Sequence, residues 1–115
     1  MGEKGDLHIG GYHLTEAIGT GGMGSVFRAT VEAKGKPLPV GSIVAVKLLH
    51  PHLRSVKEFA KRFHREAKLA ARINHANVVR VFDEGVEVDQ HQHQHHYIAM
   101  EYAEGLKLTD LIGSL

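Results

Sequence analysis

The sequence predicts an α+β fold in which a twisted, five-stranded antiparallel sheet packs against one long helix. Two early segments alternate apolar and polar residues with a period of two, and a glycine-rich stretch separates them. A third segment, residues 42–49, is apolar at four consecutive positions, which indicates a strand covered on both faces. Residues 56–73 change to the period of a helix.

The composition is that of one small soluble domain, and it excludes several classes of protein. The 115 residues carry 14 Lys+Arg and 13 Asp+Glu, a net charge of +1, so neither a nucleic-acid binder nor a polybasic membrane anchor is expected. The absence of cysteine excludes disulfides, thiolate zinc sites and cysteine nucleophiles. Because the sequence has no long apolar run and no apolar leader, we expect a cytoplasmic protein without a membrane segment here.

The ordered domain is expected to span residues 12–115. Residues 1–11 are polar, glycine-rich and without a period, so they are interpreted as a flexible N-terminal lead-in. The first strand is predicted from Tyr12 to Ile18, because its apolar side chains fall on one parity.

The next elements are a hairpin partner and a third strand. Residues 25–31 are rich in β-branched and aromatic side chains, so they are predicted to pair with the first strand across the glycines of residues 19–24. Residues 32–41 contain two prolines and two glycines, which predicts a loop. Residues 42–49 then form the third strand.

The helix at residues 56–73 is amphipathic, with apolar side chains at steps of three and four. These apolar positions are Phe59, Phe63, Ala67, Ala70 and Ile73. Fourth and fifth strands are predicted at residues 78–88 and 97–102, and the polar tract 89–96 lies between them. The five strands are expected to lie in the sheet in the same order as in the chain. Thr109 is a candidate cap for a further helix that the sequence only begins.

The glycine-rich stretch fits the pattern G-x-G-x-x-G. Its residues are Gly19, Thr20, Gly21, Gly22, Met23 and Gly24. In a dinucleotide-binding unit this fingerprint opens a helix, whereas here a strand pattern follows, so the Rossmann interpretation is rejected. A glycine hairpin between strands can cover a triphosphate, because residues without Cβ let backbone N–H groups approach phosphate oxygens. An ordinary hairpin turn remains the alternative.

Two charged residues stand at positions where apolar side chains are expected. Strand alternation places Lys47 on the same face as Ala45. The small Ala45 side chain leaves room for a flat base, and the Lys47 ammonium beside it suits phosphate oxygens. Glu66 lies on the apolar stripe of the helix, where an unpaired charge is costly, and Lys47 is the available partner. The alternatives are an exposed edge position for Lys47 and a Glu66 side chain that reaches water.

In combination, these motifs resemble the amino-terminal lobe of a protein kinase. The matching features are the glycine motif followed by Val26, the Val-Ala-Val-Lys segment that ends at Lys47, and the helix that carries Glu66. The sequence is similar above all to bacterial serine/threonine kinases of the eukaryotic (Hanks) type. Such kinases habitually carry Gly-Gly-Met-Gly in the loop, Arg-Phe-x-Arg-Glu-Ala in the helix, Asn-His after it and a late Met-Glu-Tyr, all of which occur here.

The resemblance implies an ATP site. Lys47 would bind the α- and β-phosphates and pair with Glu66, while residues 19–24 would cover the phosphates. Ala70 and Val81 match regulatory-spine positions, and Asp110 lies near the position that contacts the ribose. The adenine-slot and hinge residues implied in the same way are Ile18, Val26, Ala45, Met100, Glu101, Tyr102 and Ala103.

The chain departs from the family in lacking the catalytic half. It has no His-Arg-Asp loop, no downstream catalytic asparagine and no Asp-Phe-Gly motif, so the ligands of Mg²⁺ are expected in a C-lobe outside this sequence. The parent protein is expected to transfer the γ-phosphoryl of ATP to a serine or threonine of a protein substrate, and this chain alone is expected to be inactive. The alternative is a stand-alone, non-catalytic module that associates with itself.

Self-association is expected because the C-lobe-facing surface would be uncovered. The apolar slot around Ile18, Val26, Ala45 and Met100 would then favour a two-fold homodimer.

The histidine-rich tract is a weak candidate for a metal site. If it continued a strand, His91, His93 and His95 would share one face and could bind zinc, copper or nickel, while His96 would face the other way. A solvated loop is the alternative, since the family tolerates polar insertions at this place.

Overall fold

The computed structural model describes residues 7–72 and 80–102. The described residues form a six-stranded antiparallel sheet and one α-helix, in the sheet order β1-β2-β3-β4-β6-β5. The elements are β1 Leu7–Ile9, β2 Tyr12–Thr20, β3 Gly24–Val31, β4 Ile43–Leu49, a 3-10 turn Pro51–Leu53, α1 Lys57–Ala71, β5 Val81–Val88 and β6 Gln94–Glu101. The expected α+β class is confirmed, with six strands in place of five. Within the described residues, no helix is long and apolar enough to cross a membrane.

The additional strand lies in the segment that we expected to be a flexible lead-in. β1 pairs with β2, and Ile9 is buried in the core. Gly10 and Gly11 form the turn with φ of 60° and 91°, a backbone conformation that glycine adopts without Cβ strain. Ordered structure therefore begins by Leu7 and not at Tyr12, and a strand of three residues is too short to produce a recognisable alternation.

The order of the last two strands also differs from the expectation. β6 lies between β4 and β5, with Lys47 opposite Ile98 on one side and Val86 opposite His96 on the other. This central position explains why Ile98 and Ala99 are fully buried. β6 begins at Gln94, three residues earlier than predicted, so the end of the histidine tract belongs to the sheet.

β4 separates two apolar clusters, one on each face of the sheet. Val44 and Val46 pack in the first cluster, whereas Ala45 packs in the second with Phe63 and Ala67 of α1. The expectation that this strand is covered on both faces is therefore confirmed. The same alternation directs Lys47 toward the helix side.

The sheet is curled, so that residues at the turn between β1 and β2 contact β5 and β6. The Tyr12 hydroxyl donates a hydrogen bond of 2.7 Å to Asp83 Oδ2, and Lys36 Nζ lies 3.2 Å from the same oxygen. The rings of Tyr12 and Tyr97 meet edge to face at 6.0 Å. Burial, followed by the bond to Asp83, raises the pKa of Tyr12 far above its ordinary range. The buried Tyr12 hydroxyl thus has a hydrogen-bond acceptor on β5, the strand at the other edge of the sheet.

The helix is shorter than predicted in its described part. α1 spans Lys57–Ala71, and Val56 is its N-cap. Its apolar stripe faces the sheet, with Phe63 and Ala67 buried. The predicted helix end at Ile73, the start of the fourth strand at residues 78 and 79, and the cap at Thr109 lie outside the described residues.

Candidate functional site

The glycine motif forms a tight hairpin between β2 and β3. The backbone N–H of Gly21 donates to the Gly24 carbonyl over 2.8 Å, and the hydroxyls of Thr20 and Ser25 lie 3.1 Å apart at the strand ends. A strand, not a helix, follows the last glycine. The rejection of the Rossmann interpretation is therefore confirmed.

The third glycine of the motif is required by packing. A Cβ placed on Gly24 would overlap the backbone carbonyl of Leu48 on the neighbouring strand, whereas a Cβ on Gly22 would meet nothing within 4 Å. Gly24 therefore lets β3 and β4 approach closely, and Gly22 occupies open space at the tip of the hairpin. The motif thus combines a structural glycine with one that leaves the tip uncovered.

His50 holds the hairpin in place from the end of β4. Its backbone N–H donates to the Met23 carbonyl at 2.8 Å, and its ring Nε2 lies 2.9 Å from the Gly21 carbonyl oxygen. Because a carbonyl only accepts, Nε2 carries the proton in this contact. His50 is not among the residues that the sequence predicted for the site, and only its position directly after the third strand could have indicated this contact.

The structure brings the predicted adenine-slot residues together. Val26, Ala45 and Met100 are at most 2% exposed and belong to one cluster, against which Ile18, Met23 and Tyr102 pack as partly buried neighbours. Val26, Ala45 and Met100 are buried, so these three side chains do not form the bare apolar surface that was expected here.

The described part of the predicted hinge consists of Glu101 and Tyr102. The Glu101 backbone N–H donates to the Arg80 carbonyl over 2.8 Å. The Tyr102 ring lies 5.8 Å from the Arg28 guanidinium carbon. The other hinge residue, Ala103, and the ribose candidate, Asp110, lie outside the described residues.

Lys47 is a buried cation. Its residue is 1% exposed, and its ammonium lies 5.9 Å from the centroid of the Phe63 ring. Burial lowers the pKa of Lys47 to about 8, against an opposing attraction to Glu66. The alternative of an exposed edge lysine is therefore wrong.

Glu66 faces the same region without closing the predicted pair. Among the described residues, no ion pair joins Lys47 to Glu66, and Glu66 Oε2 lies 3.4 Å from Arg62 Nε, one helical turn earlier. The other carboxylate oxygen, Oε1, is buried and accepts no hydrogen bond. The expected pair is thus absent from this conformation, in which the carboxylate contacts Arg62 instead.

These two side chains leave an unsatisfied polar centre beside the glycine hairpin. In the described part of the chain the Lys47 ammonium contacts an aromatic ring and no anion, and a buried carboxylate oxygen of Glu66 has no donor. Buried polar groups are normally hydrogen-bonded. The unpaired Lys47 and Glu66 side chains therefore suit either a charged ligand that binds beside them or a shift of α1 that brings them together.

The histidine tract adopts a turn. Residues 89–93 precede β6, and Gln92 has φ of 68°, so the extended conformation assumed for the candidate metal site is absent there. His95 Nε2 lies 2.9 Å from Asp89 Oδ2, whereas His91 and His93 are exposed. In the ranges that the structure describes, the ring nitrogens of His91, His93 and His95 do not converge on one point.

A large cavity lies elsewhere, between α1 and β5. It has a volume of about 800 Å³ and contains none of the predicted nucleotide residues. The basic side chains that line it are Lys61, Arg65, Lys68 and Arg72.

A chain of hydrogen bonds crosses the floor of this cavity from β5 to β6. His64 Nδ1 lies 2.5 Å from Glu84 Oε1, and His64 Nε2 lies 2.8 Å from His96 Nδ1. His96 Nε2 is buried and has no partner. His96 thus faces α1, away from the exposed part of its tract, as strand alternation predicts.

We expect this arrangement to weaken the fold in mild acid. Burial, followed by the charges of His64 and Arg54, lowers the pKa of His96. The unfolded chain, in which the pKa of histidine is about 6.5, then binds more protons than the folded chain as the pH falls below that value. The free energy of unfolding should therefore be level above about pH 7 and fall below it, by at most about 1.4 kcal/mol per pH unit for this group.

Urea unfolding between pH 5 and 8 measures this dependence. His96→Gln should flatten the curve, and His91→Gln, at an exposed position, should leave it unchanged. Equal acid sensitivity in the wild type and in His96→Gln would contradict the assignment.

Comparisons with known proteins identify a matching family and relatives of this chain. The family model described as the protein kinase domain matches residues 12–114. The chain is 35% identical over 108 residues to serine/threonine-protein kinase Pkn1 of Myxococcus xanthus and 36% identical over 103 residues to serine/threonine-protein kinase PrkC of Bacillus subtilis. These matches cover 94% and 90% of this chain but only 14% of each relative, so the chain spans about a seventh of their length.

Solved structures give the same result. The crystal structure of the Mycobacterium tuberculosis PknI kinase domain matches with a TM-score of 0.62 and 30% identity, over 96% of this chain and 40% of that one. The apo form of PpkA-294 matches with a TM-score of 0.67 and 23% identity, over 94% of this chain and 41% of that one, which supports the fold alone.

Proposed function

Because this chain belongs to the protein kinase family, we propose that it is the ATP-binding N-terminal lobe of a serine/threonine kinase. The proposed parent protein transfers the γ-phosphoryl of magnesium-bound ATP to a serine or threonine of a protein substrate. The names of the relatives support this specificity. We also propose a cytoplasmic location, where ATP and protein hydroxyls are both available.

The observation that carries the proposal is the placement of Lys47. The buried Lys47 side chain, whose ammonium forms no ion pair among the described residues, lies on the strand that follows the glycine hairpin, and its neighbour on the same face is Ala45 in the apolar slot. The flat faces of adenine pack well against apolar side chains and the phosphates are anionic, so a nucleotide matches an apolar slot with an ammonium beside it. Movement of Met23 and Tyr102 away from the slot would admit the base.

The chain's own residues would bind and orient the nucleotide. The Lys47 ammonium would neutralise charge on the α- and β-phosphates, and Glu66 would hold that ammonium once α1 turns the carboxylate away from Arg62. The hairpin tip, which Gly22 leaves open, would let backbone N–H groups reach phosphate oxygens. Mg²⁺ would stabilise charge on the transferring phosphoryl, and its protein ligands are proposed to lie outside this sequence.

The chain alone should show no phosphotransfer, because positioning of the hydroxyl and the metal-borne charge supply nearly all of the catalysis. Radiolabelled ATP and a generic basic protein substrate provide the assay, with a complete kinase domain containing this sequence as the positive control. Turnover by the 115-residue chain that survives repurification and is lost in Lys47→Ala would overturn this assignment.

A stand-alone, self-associating module is the second candidate. It retains support from exposed apolar side chains on α1 and β5, where Leu69 is 51% and Val86 is 46% exposed. The coding sequence after Leu115 discriminates between the candidates: an Asp-Phe-Gly motif downstream supports the kinase, and a natural stop codon supports the module.

A further inference from the structure

We infer that His8, His13 and Glu32 form a binding site for one divalent transition-metal ion at the β1–β2 edge of the sheet. Each residue offers one ligand atom, and the three atoms lie within 4.8 Å of one another. None of the three belongs to the proposed nucleotide site, so the inference is independent of the proposed function.

The strand register brings the two histidines together. His8 on β1 is the direct antiparallel partner of His13 on β2, across the turn of Gly10 and Gly11. Residues directly opposite one another place their Cβ atoms about 5 Å apart on one face of a sheet. The two imidazole rings accordingly stack with centroids 4.4 Å apart and planes inclined by 6°.

The pair lies on the outer face of the sheet. Ile9, which follows His8, and Tyr12, which precedes His13, are buried on the opposite face. Alternation therefore directs both imidazoles outward. The His8 side chain is 55% exposed, so an ion can enter from solvent without any rearrangement of the core.

The third ligand comes from a different part of the chain. Two backbone N–H groups, those of Glu32 and Ala33, donate to the Gly11 carbonyl over 2.9 and 3.2 Å, which fixes the segment after β3 beside the β1–β2 turn. The Glu32 Oε2 atom lies 2.8 Å from His8 Nδ1. The carboxylate thus lies next to the imidazoles, and rotation of the two rings out of their parallel stack would let all three groups bind one ion.

The ligand set defines the class of ion. Two imidazoles and one carboxylate suit Zn²⁺, Co²⁺, Ni²⁺ or Cu²⁺, whereas Mg²⁺ and Ca²⁺ prefer oxygen ligands. Three protein ligands leave a further coordination position for water. A bound ion would connect β1, β2 and the segment after β3, so it should stabilise the folded chain.

The experiment must separate this site from the histidine tract. In a background chain with His91, His93 and His95 replaced by Gln, titration calorimetry with ZnCl₂ should give one ion per chain, and Zn²⁺ should raise the melting temperature. His13→Asn and Glu32→Gln in that background should each weaken Zn²⁺ binding by at least about tenfold and remove the thermal shift. Glu32→Gln replaces an exposed side chain on a loop, so it tests the site even if His13→Asn does not fold.

Two controls accompany these variants. His52→Asn, at an exposed position outside the site, should bind Zn²⁺ as the background does, and MgCl₂ should neither bind nor shift the melting temperature. The proposal is overturned if the background chain takes up no Zn²⁺, or if Glu32→Gln binds it as tightly as the background does.

Discussion

Lys47→Met should abolish most phosphotransfer in a kinase domain that contains this chain. The ammonium is the buried cation beside the glycine hairpin, and a thioether cannot neutralise phosphate charge. Loss of one charge-stabilising group of this kind lowers kcat on the order of 10²- to 10³-fold. A steady-state kinase assay at saturating Mg²⁺-ATP measures the effect, with Lys34→Met, at an exposed position, as the matched control.

The same substitution should leave the fold intact or stabilise it. Lys47 is 1% exposed, and burial lowers its pKa to about 8, so its charge is held in the folded chain at a cost. Methionine has a similar length and no charge, and it can pack against Phe63 in place of the lysine stem. Thermal unfolding by circular dichroism on the preparation used for the assay separates the two effects. Wild-type activity in Lys47→Met would remove Lys47 from the site.

Gly24→Ala should strongly destabilise the chain. The added methyl group would overlap the Leu48 carbonyl, which is backbone and cannot rotate away, so the pairing of β3 with β4 must shift. Overpacking of this kind costs about 1–3 kcal/mol of unfolding free energy, and the clash with backbone favours the upper end of that range. Denaturant unfolding of the 115-residue chain measures the loss.

Gly22→Ala is the matched control for this prediction. It adds the same methyl group two residues away, where nothing lies within 4 Å, and should change stability by no more than about 0.5 kcal/mol. If both variants unfold at the same denaturant concentration as the wild type, the close approach at Gly24 is not a determinant of stability.

Local patterns predicted the elements whose signal lies within a few residues. Strand alternation located β2, β3 and β4, and a period of three to four located α1. β1 was missed because Leu7–Ile9 is short and acquires its structure by pairing with β2. The position of β6 between β4 and β5 in the sheet was missed for a related reason, since the order of strands depends on tertiary packing and not on the residues of each strand.

The strand face of Lys47 and Ala45 was predicted from the sequence, but the contacts of the candidate-site side chains were not. Alternation correctly placed Lys47 with Ala45 on the helix side of β4, because the rule is geometric. The contact of Glu66 with Arg62 depends on side-chain rotation within α1, and no sequence period encodes it. The support that His50 gives to the hairpin depends on where β4 ends in space.

The most direct test of the account is a Mg²⁺-ATP titration of the isotopically labelled 115-residue chain, followed by nuclear magnetic resonance. The account predicts that amide shifts concentrate in residues 19–24 and in β4 around Lys47, and that Lys47→Met removes most of them. Absence of shifts at millimolar nucleotide, or shifts confined to the cavity between α1 and β5, would contradict the assignment of this chain as the nucleotide-binding lobe.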